Sequence, residues 1–266
     1  MDFTLLIGYI LAILVGVSLG LVGSGGSILT VPILVYVFKI DAVTATGYSL
    51  FVVGVTALVG GIRNAGLGNV RWPIVWLFGL PSLVVAYLTR AFLIPSLPDT
   101  LTLTDNLRLS KSLVLLILFA IIMFFAALRM IRPTPTANGL ASSPVRLAFT
   151  GASVGLVAGA VGAGGGFLII PALVFLAGLA MKKAVGTSLV IIAIQSLAGF
   201  VGELSAQPVN WSFLAGLTAA SVAGIFVGIY ASGRIDGGKL KTGFGWFVLL
   251  MAVYILAREI PSALNL

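Results

Sequence analysis

Long apolar runs, separated by short polar or glycine-rich stretches, account for most of this chain. They cover approximately 3–22, 27–39, 42–62, 72–92 and 111–131, and then 146–162, 166–180, 184–202, 211–231 and 240–258. Most of them reach or approach the roughly 20 residues that a helix needs to cross a 30 Å hydrocarbon layer. Because the runs do not alternate apolar and polar residues as barrel strands do, the pattern predicts membrane-spanning helices.

Two of the runs, 27–39 and 166–180, are too short for a full crossing. A helix over 27–39 would be roughly 20 Å long at about 1.5 Å per residue. Each short run follows a glycine-rich stretch, GLVGSGGSILTVP at 20–32 and GAVGAGGGFLIIP at 159–171. Pro32 and Pro171 fall inside the short segments and are expected to kink them.

The two halves of the chain are versions of one another. A shift of 139 residues aligns them without a gap from Gly16 to Trp72, and the sequence ATGYSL at 45–50 falls on AVGTSL at 184–189. This duplication divides the chain into an N-terminal membrane repeat (1–131), a polar linker (132–146) and a C-terminal membrane repeat (147–266).

Composition and charge extend this interpretation. The chain is 60% hydrophobic and 8% charged, with a formal net charge of +8, which in a polytopic membrane protein indicates basic cytoplasmic loops rather than a nucleic-acid partner. If each short segment forms a hairpin that leaves by the side it entered, the second repeat is inverted. Ten basic residues then lie on one side and five on the other, against roughly nine and six for a continuous crossing. The ten are Arg63, Arg71, Arg129, Arg132, Arg146, Lys182, Lys183, Arg234, Lys239 and Lys241.

We therefore expect an all-α polytopic protein of the cytoplasmic (inner) membrane, with both termini outside. It would consist of two inverted-topology repeats, each with a glycine-tipped short-helix hairpin and three spanning helices. Cys and His are both absent from the sequence, which excludes disulfides and thiolate sites and removes the commonest general base and metal ligand. The sequence favours neither an enzyme nor a cofactor or metal protein.

Glycine-rich tips that enter the membrane from opposite faces would meet near its midplane. Irregular backbone at that depth is tolerated where it lines a watered cavity, and free N–H groups at a helix start attract anions. Short segments at matching places in two halves point to a transporter's binding site. The alternative is that these glycines only allow close helix packing, as we expect for Gly16 and Gly216. The candidate substrate-binding residues in the tips are Gly23, Ser24, Gly25, Gly26, Ser27, Gly162, Gly164, Gly165 and Gly166.

A second paired motif opens the next segment of each half. It contributes Tyr48 and Ser49 in the first half and Thr187 and Ser188 in the second. The hydroxyls of Ser49 and Ser188 can donate hydrogen bonds to an oxyanion. The alternative is that these Ser and Thr hydroxyls bond their own helix backbone. Gln195, the counterpart of Thr56, would bind substrate or tie helices together.

Few charged residues lie near the spans. Arg63 and Glu203 are candidates for anion recruitment and proton coupling, or are ordinary interfacial anchors. Trp72 and Trp211 fit an aromatic belt at the membrane surface.

Two G-x-G-G-x-hydrophobic-hydrophobic-x-x-P tips, each followed by G-[TY]-S-L, resemble those of the TauE/SafE sulfite-exporter family. The resemblance implies transport of a small sulfur-containing anion such as sulfite or a sulfonate like sulfoacetate. The first copy departs from the second at Ser27 and Tyr48, and the insertion at 93–109 has no counterpart of equal length.

A secondary transporter is the leading hypothesis. A passive anion channel, a carrier of another small carboxylate or oxyanion, a membrane enzyme and a structural membrane protein are the alternatives. The expected partners are the anion, the lipid bilayer and a coupling ion, either a proton or sodium. The oligomeric state is left open, a homodimer being one alternative.

Overall fold

The computed structural model of the chain describes residues 3–23, 26–93, 96, 98, 100–104, 107–132, 143–161, 166–203 and 209–263. The first half contains α1 (Phe3–Val22), α2 (Gly26–Pro32) with a π-helical turn after it (Ile33–Val37), α3 (Ala42–Gly66), α4 (Trp72–Leu93) and α5 (Lys111–Ile131). Two parts of α4 are π-helical, Val75–Gly79 and Thr89–Leu93. The second half contains α6 (Pro144–Val161), α7 (Gly166–Phe175), α8 (Met181–Glu203), α9 (Trp211–Arg234) and α10 (Gly237–Ala263).

Helix length and apolarity confirm a multi-pass membrane protein. Within the described residues, six helices are long and apolar enough to cross a bilayer: α1, α3, α4, α8, α9 and α10. The described apolar stretches of α5 and α6 are shorter, at Ala120–Ile131 and Pro144–Ala160. As predicted, α2 and α7 are short, and each contains a proline, Pro32 and Pro171.

The 93–109 insertion contains an element that the helix prediction did not include. Strands β1 (Thr100–Thr104) and β2 (Leu107–Ser110) pair in antiparallel register, with Thr100 opposite Ser110. The sequence TLTLT alternates threonine and leucine, which is the two-residue period of a strand. The membrane part of the chain remains helical.

The long helices find their main partners in the opposite half of the chain. α1 packs against α9, and α4 packs against α6. The repeat relates these two pairs, because α6 is the counterpart of α1 and α9 the counterpart of α4. The remaining long helices pair with their own counterparts, α3 with α8 and α5 with α10. Contacts between the halves are therefore reciprocal.

Glycines allow the two exchanged pairs to approach at backbone distance. A methyl group built on Gly16 of α1 would overlap the carbonyl oxygen of Ser221 in α9. A methyl group on Gly155 of α6 would overlap the carbonyl oxygen of Ser82 in α4 in the same way. Gly155 and Ser221 lie 139 positions after Gly16 and Ser82, so the same contact is made twice. The expectation that Gly16 serves packing agrees with this geometry.

The helices enclose an apolar core and present an apolar outer surface. Leu19, Phe78, Ile170 and Phe244 are among the side chains with almost no exposure. Trp72 and Trp211, at the starts of α4 and α9, are about half exposed, at 51% and 54%. An outer surface of large apolar and aromatic side chains is what contact with lipid requires.

Candidate functional site

The first glycine tip begins at a turn that rests on the second half of the chain. Gly23 follows α1 with φ +78°, a left-handed conformation that glycine adopts at little cost. The single hydroxyl proton of Ser188 in α8 is shared between two carbonyl oxygens, that of Val185 at 2.9 Å from Oγ and that of Gly23 at 3.3 Å. A side chain at Gly23 would approach Ser188 Oγ to 2.7 Å. Two motifs chosen from the sequence, one in each half, therefore meet.

Ser188 is completely buried, and its hydroxyl proton is directed to protein carbonyls. In this arrangement Ser188 fixes the backbone of the first tip. Its counterpart Ser49 is 4% exposed and lies two turns before Thr56 on α3.

Tyr48 and Thr187 use their hydroxyl oxygens at helix starts in the opposite half. Tyr48 OH accepts a hydrogen bond from the backbone N–H of Asn210 at 2.8 Å, immediately before α9. Thr187 Oγ1 accepts one from the backbone N–H of Arg71 at 3.1 Å, immediately before α4. Arg71 and Asn210 are themselves repeat counterparts. Both hydroxyls thus satisfy N–H groups that a helix start leaves unpaired.

Gln195 ties α8 to α4. Its Nε2 donates to Ser82 Oγ at 3.0 Å, which leaves a second amide N–H and the carbonyl oxygen for other partners. The counterpart Thr56 is fully buried, and its hydroxyl has no hydrogen-bond partner within the described residues. Gln195 therefore links two helices by a hydrogen bond, whereas Thr56 makes no such link within the described residues.

A half-open cavity of about 330 Å³ lies beside Gln195, between α3, α4, α6 and α8, with the exposed Tyr87 in its wall. Leu50, Ala86 and Ala158 form apolar parts of its wall, and Gln195 and Ser196 contribute polar groups. Gly159 of α6 also lines it, and α6 ends two residues later, at Val161, where the second glycine-rich stretch begins.

Other predicted residues lie apart or outside the described part of the chain. Ser24, Gly25, Gly162, Gly164 and Gly165 lie outside the described residues, as do the side chains of Ser27 and Glu203. Gly26 and Gly166 are buried at the starts of α2 and α7. Arg63 is exposed in the last turn of α3.

Sequence reasoning missed Ser82, Ala86 and Ala158. The sequence signal for Ser82 is that its repeat counterpart, Ser221, is also a serine. In the structure, Ser221 Oγ donates a hydrogen bond to Ala12 O across the α1–α9 contact at 3.0 Å. Ala86 and Ala158 have no functional group that sequence analysis could single out, since they contribute only the space that their small side chains leave in the cavity. Within the searched, described residues, no group of three or more acidic, His or Cys residues forms a metal site.

Known proteins resemble this chain over most of its length. The profile of the family described as sulfite exporter TauE/SafE matches residues 8–255. A probable membrane transporter protein of Xylella fastidiosa (strain Temecula1) is 31% identical, over 94% of each chain. A probable membrane transporter protein of Methanocaldococcus jannaschii is 28% identical over 84% of this chain and 82% of its own, and one of Haemophilus influenzae is 25% identical over 92% and 95%.

The family profile covers both halves, including the two glycine-rich stretches and the paired G-[TY]-S-L motifs. The match also agrees with the multi-pass helical architecture. This chain belongs to the TauE/SafE sulfite exporter family, whose relatives named above are described as membrane transporters.

Proposed function

We propose that the protein is a secondary transporter that carries a small sulfur-containing anion, sulfite or an organosulfonate such as sulfoacetate, across the cytoplasmic membrane. The observation that carries the proposal is the contact between the Gly23 turn and Ser188. It joins the first glycine tip to the start of the long helix of the other half. When the two halves move against each other, access to a site at this junction can switch from one side of the membrane to the other, as alternating access requires.

We further propose that the halves are inverted repeats whose tips approach each other near the bilayer midplane. The reciprocal pairing of α1 with α9 and of α6 with α4 supports a two-fold relation between the halves. The ten-to-five division of basic residues supports the inverted orientation, with both termini outside.

The tips would bind the anion through backbone N–H groups and the surrounding hydroxyls, and not through lysine or arginine. Ser188 would act by holding the Gly23 turn in place, and Ser49 would act on the second tip by the repeat relation. Arg63 and Glu203 remain candidates for gating or for coupling to a proton or sodium ion.

Ligand-dependent thermal stabilisation of the purified protein tests the substrate class. The panel contains sulfite, thiosulfate, sulfate, sulfoacetate, isethionate and taurine, with acetate and chloride as controls. A ligand of the folded state at 100 times its dissociation constant stabilises it by roughly 2.7 kcal/mol. We expect a selective rise in the melting temperature with a sulfur oxyanion. Equal responses to all anions, or none, would contradict the assignment.

Uptake into proteoliposomes then separates a transporter from a passive channel. A coupled transporter accumulates the anion above equilibrium when an ion gradient is imposed, whereas a channel only equilibrates it. Ser188→Ala releases the Gly23 carbonyl and is expected to weaken binding roughly fivefold, the worth of about one hydrogen bond. Ser153→Ala is the matched control, because Ser153 Oγ donates to Phe149 O within α6 at an exposed site.

A further inference from the structure

At the place that the repeat relates to the cavity beside Gln195, larger side chains stand where the cavity has alanines. The cavity wall includes Ala86 and Ala158, whose counterparts are Ile225 and Leu19. Ile225 and Leu19 are 0% and 1% exposed, so both are packed in the core. The halves therefore share a backbone plan but differ in the bulk of two side chains.

The glycines on the facing helices show how the counterpart space is filled. At the counterpart place, the Ile225 side chain of α9 lies against Gly60 of α3. At the cavity, Gly199 of α8 is the counterpart of Gly60, and the nearest atoms to a methyl group built there belong to Leu50, at 3.3 Å. Alanine at position 86 in place of isoleucine thus leaves the side of Gly199 open.

The size and wall of the cavity suit a small organic ligand. A volume of about 330 Å³ lies at the lower end of the roughly 300–1,000 Å³ typical of small-molecule pockets. It far exceeds the roughly 30 Å³ that one water molecule occupies in the liquid. A bare oxyanion of four heavy atoms would leave most of this space empty.

Polar groups in the wall argue against a lipid tail as the occupant. Ser196 is 3% exposed and lines the cavity, and its hydroxyl makes no hydrogen bond to another residue of the described ranges. Gln195 contributes a second amide N–H. A hydrocarbon chain would leave these groups unsatisfied, which is costly, whereas a ligand with polar atoms or accompanying water satisfies them.

We propose that Ala86 and Ala158 determine substrate size, and that the cavity they open holds the carbon chain of an organic anion. This inference rests on the proposed function, since it concerns the substrate of the same carrier. Gly159 places the cavity about 3 Å of helix rise from the end of α6, where the second glycine tip starts. The acidic group would lie toward the end of α6, and the chain would extend over Ala86 and Ala158.

A homologous series tests this directly: sulfite, then methane-, ethane-, propane- and butanesulfonate. Each methylene group buried in the cavity should tighten binding to the purified wild-type protein about fourfold. The gain should stop when the chain exceeds the cavity. The double variant Ala86→Ile/Ala158→Leu carries the residues found at the counterpart positions and should abolish this dependence while sulfite transport persists.

Two comparisons keep the test interpretable. Ala219→Ile/Ala223→Leu makes the same changes at exposed positions of α9 and should retain the wild-type series. Ala86→Ile alone is the milder change and should shorten the longest accepted chain, so the test does not depend on the double variant folding. Melting temperatures and gel filtration establish that each variant is folded.

The outcomes separate the two proposals. If the wild type neither binds nor moves sulfite or any sulfonate, the proposed function fails. If it moves sulfite but shows no dependence on chain length, the function stands and the size-determining role is wrong. If chain-length dependence survives in the double variant, the carbon chain does not lie over Ala86 and Ala158 and the inference is overturned. Equal loss of sulfite and sulfonates would also overturn it.

Discussion

At the scale of single residues, the chain uses the same hydroxyl position twice to support the opposite half. Tyr48 and Thr187 differ in size and chemistry, yet each accepts the backbone N–H that precedes a long helix. From the sequence, both are candidate substrate-binding residues. Their observed bonds show that the oxygen atom serves the fold, while each hydroxyl keeps a proton to donate.

Thr187→Val tests how much the structural bond contributes. Valine keeps the shape but leaves the Arg71 N–H without its acceptor, which should lower the free energy of unfolding by about 1–3 kcal/mol. Thermal or denaturant unfolding of the purified protein measures this. Thr218→Val is the control: its hydroxyl only donates to Leu214 O in its own helix, so little change is expected. Unchanged stability of Thr187→Val with weaker anion binding would instead assign Thr187 to the substrate.

At the scale of helices, small residues decide which helices pair. α1 and α9 meet at glycines on both sides: Gly16 and Gly20 of α1, and Gly224 and Gly228 of α9, each face backbone of the other helix, and Gly20 lies against Gly228. In a membrane, such close contact replaces the hydrophobic driving force, since lipid is as apolar as the helices.

Replacing Gly16 with alanine should separate α1 from α9. The new methyl group would overlap the carbonyl oxygen of Ser221, and backbone on both sides would have to shift. We expect a lower melting temperature and less folded protein on gel filtration. Gly243→Ala is the matched control, because nothing lies within 4 Å of a methyl group there in α10. A drop as large for Gly243→Ala as for Gly16→Ala would contradict this view of the contact.

The positions of the helices were predictable from the sequence, but their partners were not. The runs 3–22 and 111–131 coincide with α1 and α5, and the others differ by a few residues at their ends. Apolarity does not reveal which face is buried: in α10, Val248 is 1% exposed and Leu250 is 67% exposed. Which face of a membrane helix is buried therefore has to be determined from its contacts with the other helices.

The candidate site was predictable to a similar extent. The repeated motifs drew attention to Gly23 and Ser188, which meet across the halves. Their hydrogen bond was not predicted, because the halves were expected to meet tip to tip. The cavity was also missed: space between helices depends on which side chains are absent, and alanines at 86 and 158 look like any other small apolar residues.

At the scale of the whole molecule, the orientation of the two halves can be measured directly. The chain contains no cysteine, so single cysteines can be introduced without first removing native ones. Leu67 follows α3 and Ser212 lies at the start of α9, and both are exposed. With inverted halves, a membrane-impermeant maleimide should label Ser212→Cys from outside the cell and Leu67→Cys only after the membrane is opened. Labelling of both from the same side would mean that the halves are parallel.

The exchange of helix partners between the halves also sets an order of events during synthesis. α1 enters the membrane first, but its main partner α9 begins only at Trp211. At about 5–20 residues per second, the roughly 190 residues between them take roughly 10–40 s to make. Until then, the glycine-lined face of α1 has no permanent neighbour and must be covered by lipid or by the insertion machinery. The packing of α1 against α9 can therefore be completed only after most of the chain has been translated.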